Sequence, residues 1–457
     1  MHSLSSVIDA IANTTRTARC SSTARTSKLA QSCTNLAEEA ESEFDIGCPE
    51  ESITMASTFP DVDPAISLFP SSCTDLTVGS LPSADFMATS VSPDDATLRE
   101  HGYKIVAKIT DTLQGELFEG VIVDSAKRER TGNSRVAIKK VSKMLCRCGL
   151  AKEGNDVILV EEDVIKEAVI LKHLTKDNLP NGGYIAKYID FCENEQHFFL
   201  VMEYAGDITL AQWVQQAFQL MDTGKLKLPE YKKTVKFMFW QLCVAVYWLH
   251  HDMDVCHLGL SLDNIVVNEG DFVLDEVDGF YRINPNMTAK IIDFGLAEKF
   301  HPMCTSHKMC KWGLRDSYRC TDPKIYTELE FNGPKADMWS LGMILFQLSC
   351  GQPLCMLPDE DEDFGFRLLC KDELQHFLEI RHLKKYVSNK MLRVVRRLLE
   401  VDEKQRFSAA DLLKCDWFTC YYQRYGARLE KKSRLQNVRN LKHQSKMKEF
   451  PYYVFSY

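Results

Sequence analysis

Three short segments of this 457-residue chain carry side chains whose type and setting could act on a phosphate-bearing ligand. Lys139 closes Val136-Ala137-Ile138-Lys139, a β-branched run that reads as a strand, so its ammonium would project from one face of a sheet. Taken alone it is an ordinary strand lysine. Glu167, in Lys166-Glu167-Ala168-Val169-Ile170-Leu171, sits among Val164, Ile165, Ala168, Leu171 and Leu174 at helical spacing. It could pair with Lys139, because a lysine buried in a cleft needs a carboxylate to stay charged and oriented; a solvated helix glutamate is the plainer alternative. Asp293, in Ile291-Ile292-Asp293-Phe294-Gly295, lies between an apolar strand and a glycine, where a carboxylate could hold a metal ion beside a nucleotide phosphate. Asn264 ends a loop that begins at His257, just before the strand Ile265-Val266-Val267.

The elements that must position these groups change character along the chain. Apolar residues partly alternate from Tyr103 to Val123, and 135–141, 184–191 and 197–203 read as further strands around a helix at 161–174. Beyond Gly206 the pattern turns helical, with apolar helices near 231–250, 335–350 and 388–400. A small antiparallel β lobe with one main helix, then a large mostly helical lobe, is an α+β arrangement with a cleft between the lobes.

Charge divides the chain further. Residues 1–98 hold 4 basic and 14 acidic residues with 17 Ser and 12 Thr, and no sustained period, so the segment reads as disordered. Its first 36 residues, with Arg16, Arg19, Arg25 and Lys28 against Asp9, have the composition of a mitochondrial or plastid transit peptide or of a plain disordered tail. Residues 421–457 carry 9 basic and 2 acidic residues, with Leu435, Val438 and Leu441 at threes, consistent with a basic amphipathic helix. Calmodulin, an anionic membrane or another acidic partner would suit it; a solvated helix docked on the large lobe is the alternative. The expected organisation is 1–98 disordered, 99–420 folded (small lobe about 99–203, large lobe about 207–420) and 421–457 a basic tail. A net charge of -9 argues against a dedicated nucleic-acid binder. Seventeen cysteines without a C-x-x-C pair argue against zinc-finger sites and fit reduced thiols in an intracellular, cytoplasmic setting. No apolar stretch reaches the roughly 18 to 20 residues of a membrane-spanning helix.

In order, Val-Ala-Ile-Lys139, the helix Glu167, His257 through Asn264, Asp293-Phe294-Gly295 and Asp337-Met338-Trp339-Ser340-Leu341-Gly342 resemble the eukaryotic protein kinase family over about 100–420. The closing stretch Asp402 to Leu413, with Arg406, agrees. The resemblance implies a bilobal kinase fold that binds ATP and Mg²⁺ and acts on, or regulates, a protein partner. By it, Lys139 would contact the nucleotide phosphates, Glu167 would orient Lys139, and Asn264 and Asp293 would hold Mg²⁺. Glu203, Tyr204 and Ala205 would form the hinge at the adenine, with Met202 at the back of that pocket, Ala137 part of the nucleotide site and Asp207 near the ribose. Asp337 would bind the backbone of the catalytic loop.

The sequence also departs from that family. The loop usually written H-R-D-L-K-x-x-N is His257-Leu258-Gly259-Leu260-Ser261-Leu262-Asp263-Asn264. Gly259 replaces the aspartate that accepts the substrate proton, and Ser261 the lysine near the transferring phosphate, so serine/threonine phosphorylation would be impaired or lost. The alternative is an active noncanonical serine/threonine kinase in which Asp263 or the substrate supplies the base. Leu258 removes an arginine that binds activation-loop phosphate, which disfavours control through Thr305, Ser306, Ser317 or Thr321. If Lys324 stands where the family has glutamate, Arg406 faces a like charge, unless Asp322 substitutes. Gly115-Glu116-Leu117-Phe118-Glu119-Gly120 keeps the outer glycines of a phosphate loop with Leu117 at the middle one. Long connections follow Lys139 and Asn264; the second, with Asp271, Asp275, Glu276 and Asp278, reads as an acidic hairpin.

Overall fold

The computed structural model describes residues 92–426 apart from 133, 154–155, 176–181, 269, 301–306, 309–320 and 328–329. The acidic Ser/Thr-rich segment up to 91, Thr305, Ser306, Ser317 and the basic tail beyond 426 lie outside the described residues.

The small lobe starts with helix α1 (Pro93–Glu100), capped by Ser92 through the Asp95 amide and carrying proline in its first turn, so it straddles the expected boundary at 98. Then come β1 (Tyr103–Thr112), β2 (Gly115–Ile122), the short helix α2 (Ser125–Thr131) and β3 (Arg135–Ser142). The long connection after Lys139 is ordered as helix α3 (Lys143–Cys148) and a hairpin, β4 (Leu150–Glu153) with β5 (Asp156–Leu159). Helix α4 (Val164–Thr175) follows, then β6 (Tyr188–Glu193) and β7 (His197–Glu203). The five long strands form one antiparallel sheet in the order β1-β2-β3-β7-β6.

Strand phase decides which side chains reach the cleft. Val136 and Ile138 of β3 pack with Phe199 and Val201 of β7, Leu98 of α1 and Tyr103 of β1 in a core on one face. Period-2 alternation sends Lys139 and Val141 to the other face, against α4. Both faces of β7 are therefore buried, which is why Phe198-Phe199-Leu200-Val201-Met202 runs continuously apolar.

The large lobe opens with β8 (Ile208–Thr209) and helices α5 (Leu210–Asp222) and α6 (Leu228–Asp252). Thr209 and Gln212 form a reciprocal capping box at the start of α5. β9 (Val255–Cys256) leads to the loop at 257–264, followed by β10 (Ile265–Asn268), β11 (Phe272–Leu274), β12 (Tyr281–Ile283), β13 (Thr288–Ile291) and β14 (Glu298–Lys299). The acidic hairpin is β11 with β12, and two of its acids are met: Arg282 pairs with Asp275 and Asp278, and also with Glu230, while Lys227 sits 3.8 Å above the Phe280 ring. After α7 (Pro323–Thr327) come α8 (Gly333–Cys350), α9 (Phe364–Cys370), α10 (Leu374–Ile380), α11 (Asn389–Leu398) and α12 (Ala409–Lys414). Helices α6 and α8 are buried on nearly every face and form the centre of the main core. No helix among the described residues is long and apolar enough to cross a membrane.

Candidate functional site

Lys139, Glu167 and Asp293, drawn from β3, α4 and the turn after β13, converge on one point. The Lys139 ammonium lies 2.9 Å from Glu167 Oε2 and 3.0 Å from Asp293 Oδ1. Glu167 is not a solvated helix residue: it falls in the buried stripe of α4 with Val164, Ala168, Leu171 and Leu174, and is 0% exposed. Its second oxygen accepts the Phe294 amide at 3.0 Å, which ties α4 to the Asp293-Phe294-Gly295 turn. Asp293 has φ +61°, a left-handed value that aspartate tolerates better than a branched residue would.

Electrostatics favour the charged forms of Lys139 and Asp293. Burial alone would depress the Lys139 ammonium, but Asp293, Glu167 and nearby Glu162 outweigh it and keep its pKa well above the ordinary lysine value. Burial would raise the Asp293 carboxyl, yet Lys139 beside it brings it below the usual range. Glu167, wholly enclosed and also facing Asp293, is raised by its burial in spite of Lys139. One cation against two carboxylates leaves a net negative charge that a divalent cation would balance.

Asn264 reaches the same place through strand pairing. Ile265 of β10 lies opposite Ile291 of β13, and the Ile292 amide donates to the Asn264 carbonyl at 3.0 Å, so the residues flanking those strands adjoin. Asn264 Nδ2 donates to the Gly259 carbonyl at 2.8 Å, which leaves Oδ1 as the end suited to an oxygen-seeking cation. The carboxylate of Asp293 and the amide oxygen of Asn264 thus fit Mg²⁺ by donor type.

The loop that carries Gly259 is built from below. Asp337, 0% exposed on α8, accepts the His257 amide at 2.8 Å and the Leu258 amide at 2.7 Å, and takes the His250 ring at 2.8 Å. These bonds fix Leu258 at φ +61°. The His257 ring accepts the Gly259 amide at Nδ1 (3.2 Å) and donates from Nε2 to the Ile292 carbonyl (3.1 Å), with the Phe294 ring tilted against it at 4.6 Å between centroids. Ser261 is buried, and its hydroxyl accepts the Asn264 amide at 3.2 Å, so it closes the loop's turn. Asp263 is exposed. A Cβ placed on Gly259 would have nothing nearer than Leu296 Cδ1 at 3.4 Å, so the loop has room for a side chain there.

The hinge follows β7. Met202 is core and lies opposite Ala137 in the β3–β7 register, while Ala205, Ala186 and Val266 form an apolar cluster with Ile292 against it. Glu203 is engaged by Lys290. Asp207, expected near a ribose, is 68% exposed at its side chain and paired with Arg135 at 2.9 Å; Arg135 also lies 4.0 Å over the Tyr204 ring. The hinge is short because β8 pairs with β10 at once, and a Cβ on Gly206 would strike the Val267 carbonyl at 2.3 Å.

The segment read as a phosphate loop is corrected by the structure. Residues 115–122 are strand β2, and the turn between β1 and β2 is Leu113-Gln114, with Thr112 opposite Gly115. Gly115 stands at the hairpin tip, where a Cβ would lie 2.0 Å from the Lys140 carbonyl. Gly120 is in mid-sheet between Ile105 and Val136, and a Cβ there would meet Ile138 Cδ1 at 2.5 Å. The alternating apolar pattern ran through the tip, so nothing in it marked where the strands turn.

Three residues at the site carried no sequence signal. Gln114 is buried and donates to the Leu150 carbonyl at 3.0 Å, while the Lys152 amide donates to the Leu113 carbonyl at 3.1 Å, so the tip is bound to β4. Glu162 lies beside Gly295 and adds negative potential at Lys139. Arg135 is the third. All owe their places to the ordered insertion or to hinge geometry.

A family model described as a protein kinase domain matches residues 120–418. Among curated proteins the chain is 27% identical over 256 residues to sperm motility kinase Z of Mus musculus, covering 56% of this chain and 42% of that protein. It is 28% identical over 261 residues to serine/threonine-protein kinase DCLK3 of Mus musculus, covering 56% and 28%. With serine/threonine-protein kinase 33 of Bos taurus it shares 26% identity over 300 residues, covering 66% and 52%. The chain therefore spans about half the length of these relatives, or less.

Proposed function

Because the chain belongs to the protein kinase family, we propose that it binds ATP with Mg²⁺ in the cleft between its lobes and that γ-phosphate transfer to protein serine or threonine is impaired or lost. The observation that carries this reading is the contrast between an assembled Lys139–Glu167–Asp293 set and a side-chain-free Gly259 in the loop beside it. Lys139, held by Glu167, would meet the phosphates, and Asn264 and Asp293 would hold the metal. Bound Mg²⁺ would supply positive charge to the phosphate oxygens. At Gly259 nothing accepts the substrate hydroxyl proton, a loss of about 10² to 10⁴ in rate. Ser261, turned into the loop, offers no charge to the transferring group. The protein would then act on its pathway through the shape of a nucleotide-loaded domain, with a protein partner as the recipient.

A second reading, an active noncanonical kinase, is favoured by the same preassembled set, since phosphoryl transfer depends heavily on positioning and charge. Thermal-shift titration of the full chain with ATP, with and without Mg²⁺, alongside radiolabelled transfer to itself and to a generic protein, separates the two. A Mg²⁺-dependent stabilisation without transfer supports the first. Transfer abolished in Lys139→Ala supports the second. Absence of any shift defeats both.

A further inference from the structure

On the large lobe, away from the cleft, Tyr231, Val235, Ser349, Met391 and Trp417 floor a groove of about 210 Å³ between the start of α6, the end of α8 and the start of α11. All five are buried, and the floor is rigid: Tyr231 Oη donates to the Leu348 carbonyl at 2.5 Å and Ser349 Oγ contacts Met391 Sδ at 3.5 Å. Lys232, Lys233 and Lys236 line the groove, and Tyr386 and Ser388 complete its rim.

The charge around this groove is one-sided. From Arg381 to Leu399 the sequence holds Arg381, Lys384, Lys385, Lys390, Arg393, Arg396 and Arg397 and no acidic residue, in a chain whose net charge is -9. The neighbouring acids are already taken: Glu379 by Lys384, Asp416 by Arg393, Asp372 by Arg396 and Glu230 by Arg282. Among the described residues Lys232, Lys233, Lys236, Lys385 and Lys390 form no ion pair, although Lys236 rests 5.6 Å from both the Trp417 and Tyr421 rings.

We propose that this groove is a docking site for an acidic peptide segment that carries one large apolar side chain, the side chain entering between Tyr231, Val235, Met391 and Trp417 and the carboxylates meeting the lysine rim. The volume suits that occupant: an apolar cavity of about 150 Å³ accommodates benzene, so this one takes a phenylalanine or leucine side chain. Flanking acids would gain the three lining lysines, none of which is in an ion pair among the described residues, and a central apolar anchor ringed by polar contacts is the usual distribution of binding energy. A membrane would instead need apolar side chains standing proud of the surface. None of the large exposed hydrophobics belongs to the groove, which is concave. Single-stranded nucleic acid would need a row of exposed aromatic faces to stack on, and of the lining rings Tyr386 alone is partly exposed, Trp417 and Tyr231 being buried.

The test uses the full chain and a fluorescein-labelled peptide with one phenylalanine flanked on each side by four glutamates. It is compared with the same peptide bearing serine at the centre, with phosphatidylcholine–phosphatidylserine vesicles, and with poly(U). Saturable binding that weakens about tenfold or more in Lys232→Glu/Lys233→Glu, and about tenfold when phenylalanine is replaced, supports the site. Ser388→Trp narrows the rim without altering charge but also removes the hydroxyl that caps α11 at the Met391 amide, so it is read against Ser388→Ala, which loses the same cap: binding should weaken in the tryptophan variant beyond the alanine one, through the anchor. An unchanged melting temperature in these variants shows that the fold is intact. The proposal fails if the peptide does not bind, if binding ignores either the lysines or the phenylalanine, or if vesicles or poly(U) bind through the same lysines in preference to the peptide.

Discussion

Asp322 and Arg406, 84 residues apart, form an ion pair with side chains 1% and 0% exposed. It answers the question raised by Lys324: the carboxylate that Arg406 needs comes from two residues earlier, and Lys324 lies instead near Glu403. Arg406 also donates to the Glu400 and Lys335 carbonyls at 2.8 and 2.7 Å and stands over the Trp339 ring. Removing one partner leaves a buried charge uncompensated, so Asp322→Ala should cost about 3 to 5 kcal/mol, while Asp322→Ala/Arg406→Met should cost less than the single change. Urea denaturation of the three proteins checks this. A single variant no less stable than the double would show that the pair does not act as a pair.

Gly259→Asp should restore a proton acceptor without disturbing the loop. The nearest atom to the new Cβ is 3.4 Å away, and Gly259 shows none of the positive φ that would strain an L side chain. The expected gain is about 10² to 10⁴ in phosphate transfer, with ATP affinity unchanged. Adding Ser261→Lys breaks the hydroxyl bond to the Asn264 amide and brings a stability cost that the single change avoids. Initial rates with labelled ATP decide the matter, and no gain from Gly259→Asp would place the defect elsewhere.

What could be read from the sequence tracks where local pattern and chemistry coincide. Lys139, Glu167 and Asp337 sit on strongly patterned strands and helices, and Asn264 and Asp293 flank the short apolar strands β10 and β13, so strand phase, helix face and strand pairing place them. The β1–β2 turn was misplaced because Leu113-Gln114 lacks turn chemistry and glycines at 115 and 120 lay inside the strand. Asp207 pairs with Arg135, a tertiary neighbour 72 residues away that no periodicity announces. Gln114 and Glu162 depend on an insertion whose fold a single sequence did not specify.

His257 makes stability fall on acidification. Its ring is fully enclosed, and burial lowers its pKa, with Asp337 only partly opposing. Protonation would also place a hydrogen on Nδ1, where the Gly259 amide already points. The unfolded chain therefore binds a proton near pH 6.5 that the folded chain refuses, so folding free energy decreases as pH falls through that value. One such group contributes at most about 1.4 kcal/mol per pH unit. His251 works in the opposite direction, its pKa raised by Asp252. The comparison is therefore between wild type and His257→Phe. The variant should be less stable at neutral pH and lose less stability between about pH 7.5 and about pH 5.5. Equal slopes in denaturant titrations across that range would remove His257 as the cause.

The hairpin tip should be released by a single change in a residue that no family motif marks. Gln114 donates to the Leu150 carbonyl from a buried position, and its own carbonyl accepts the Ser142 amide at 3.0 Å. Gln114→Ala leaves the Leu150 carbonyl without that donor, at a cost of about 1 to 3 kcal/mol. The loss is local, because β4 and β5 join the rest of the lobe mainly through α3 and this contact. Amide exchange should quicken by about tenfold or more at the ends of β1 and β2 and in β4, with α6 and α8 unchanged. Gln114→Glu is the sharper control. It keeps size and shape but turns the donor into an acceptor facing a carbonyl, and it should loosen the tip at least as much at neutral pH. Exchange unaffected in both variants would mean that the backbone bonds from Ser142 and Lys152 hold the tip by themselves.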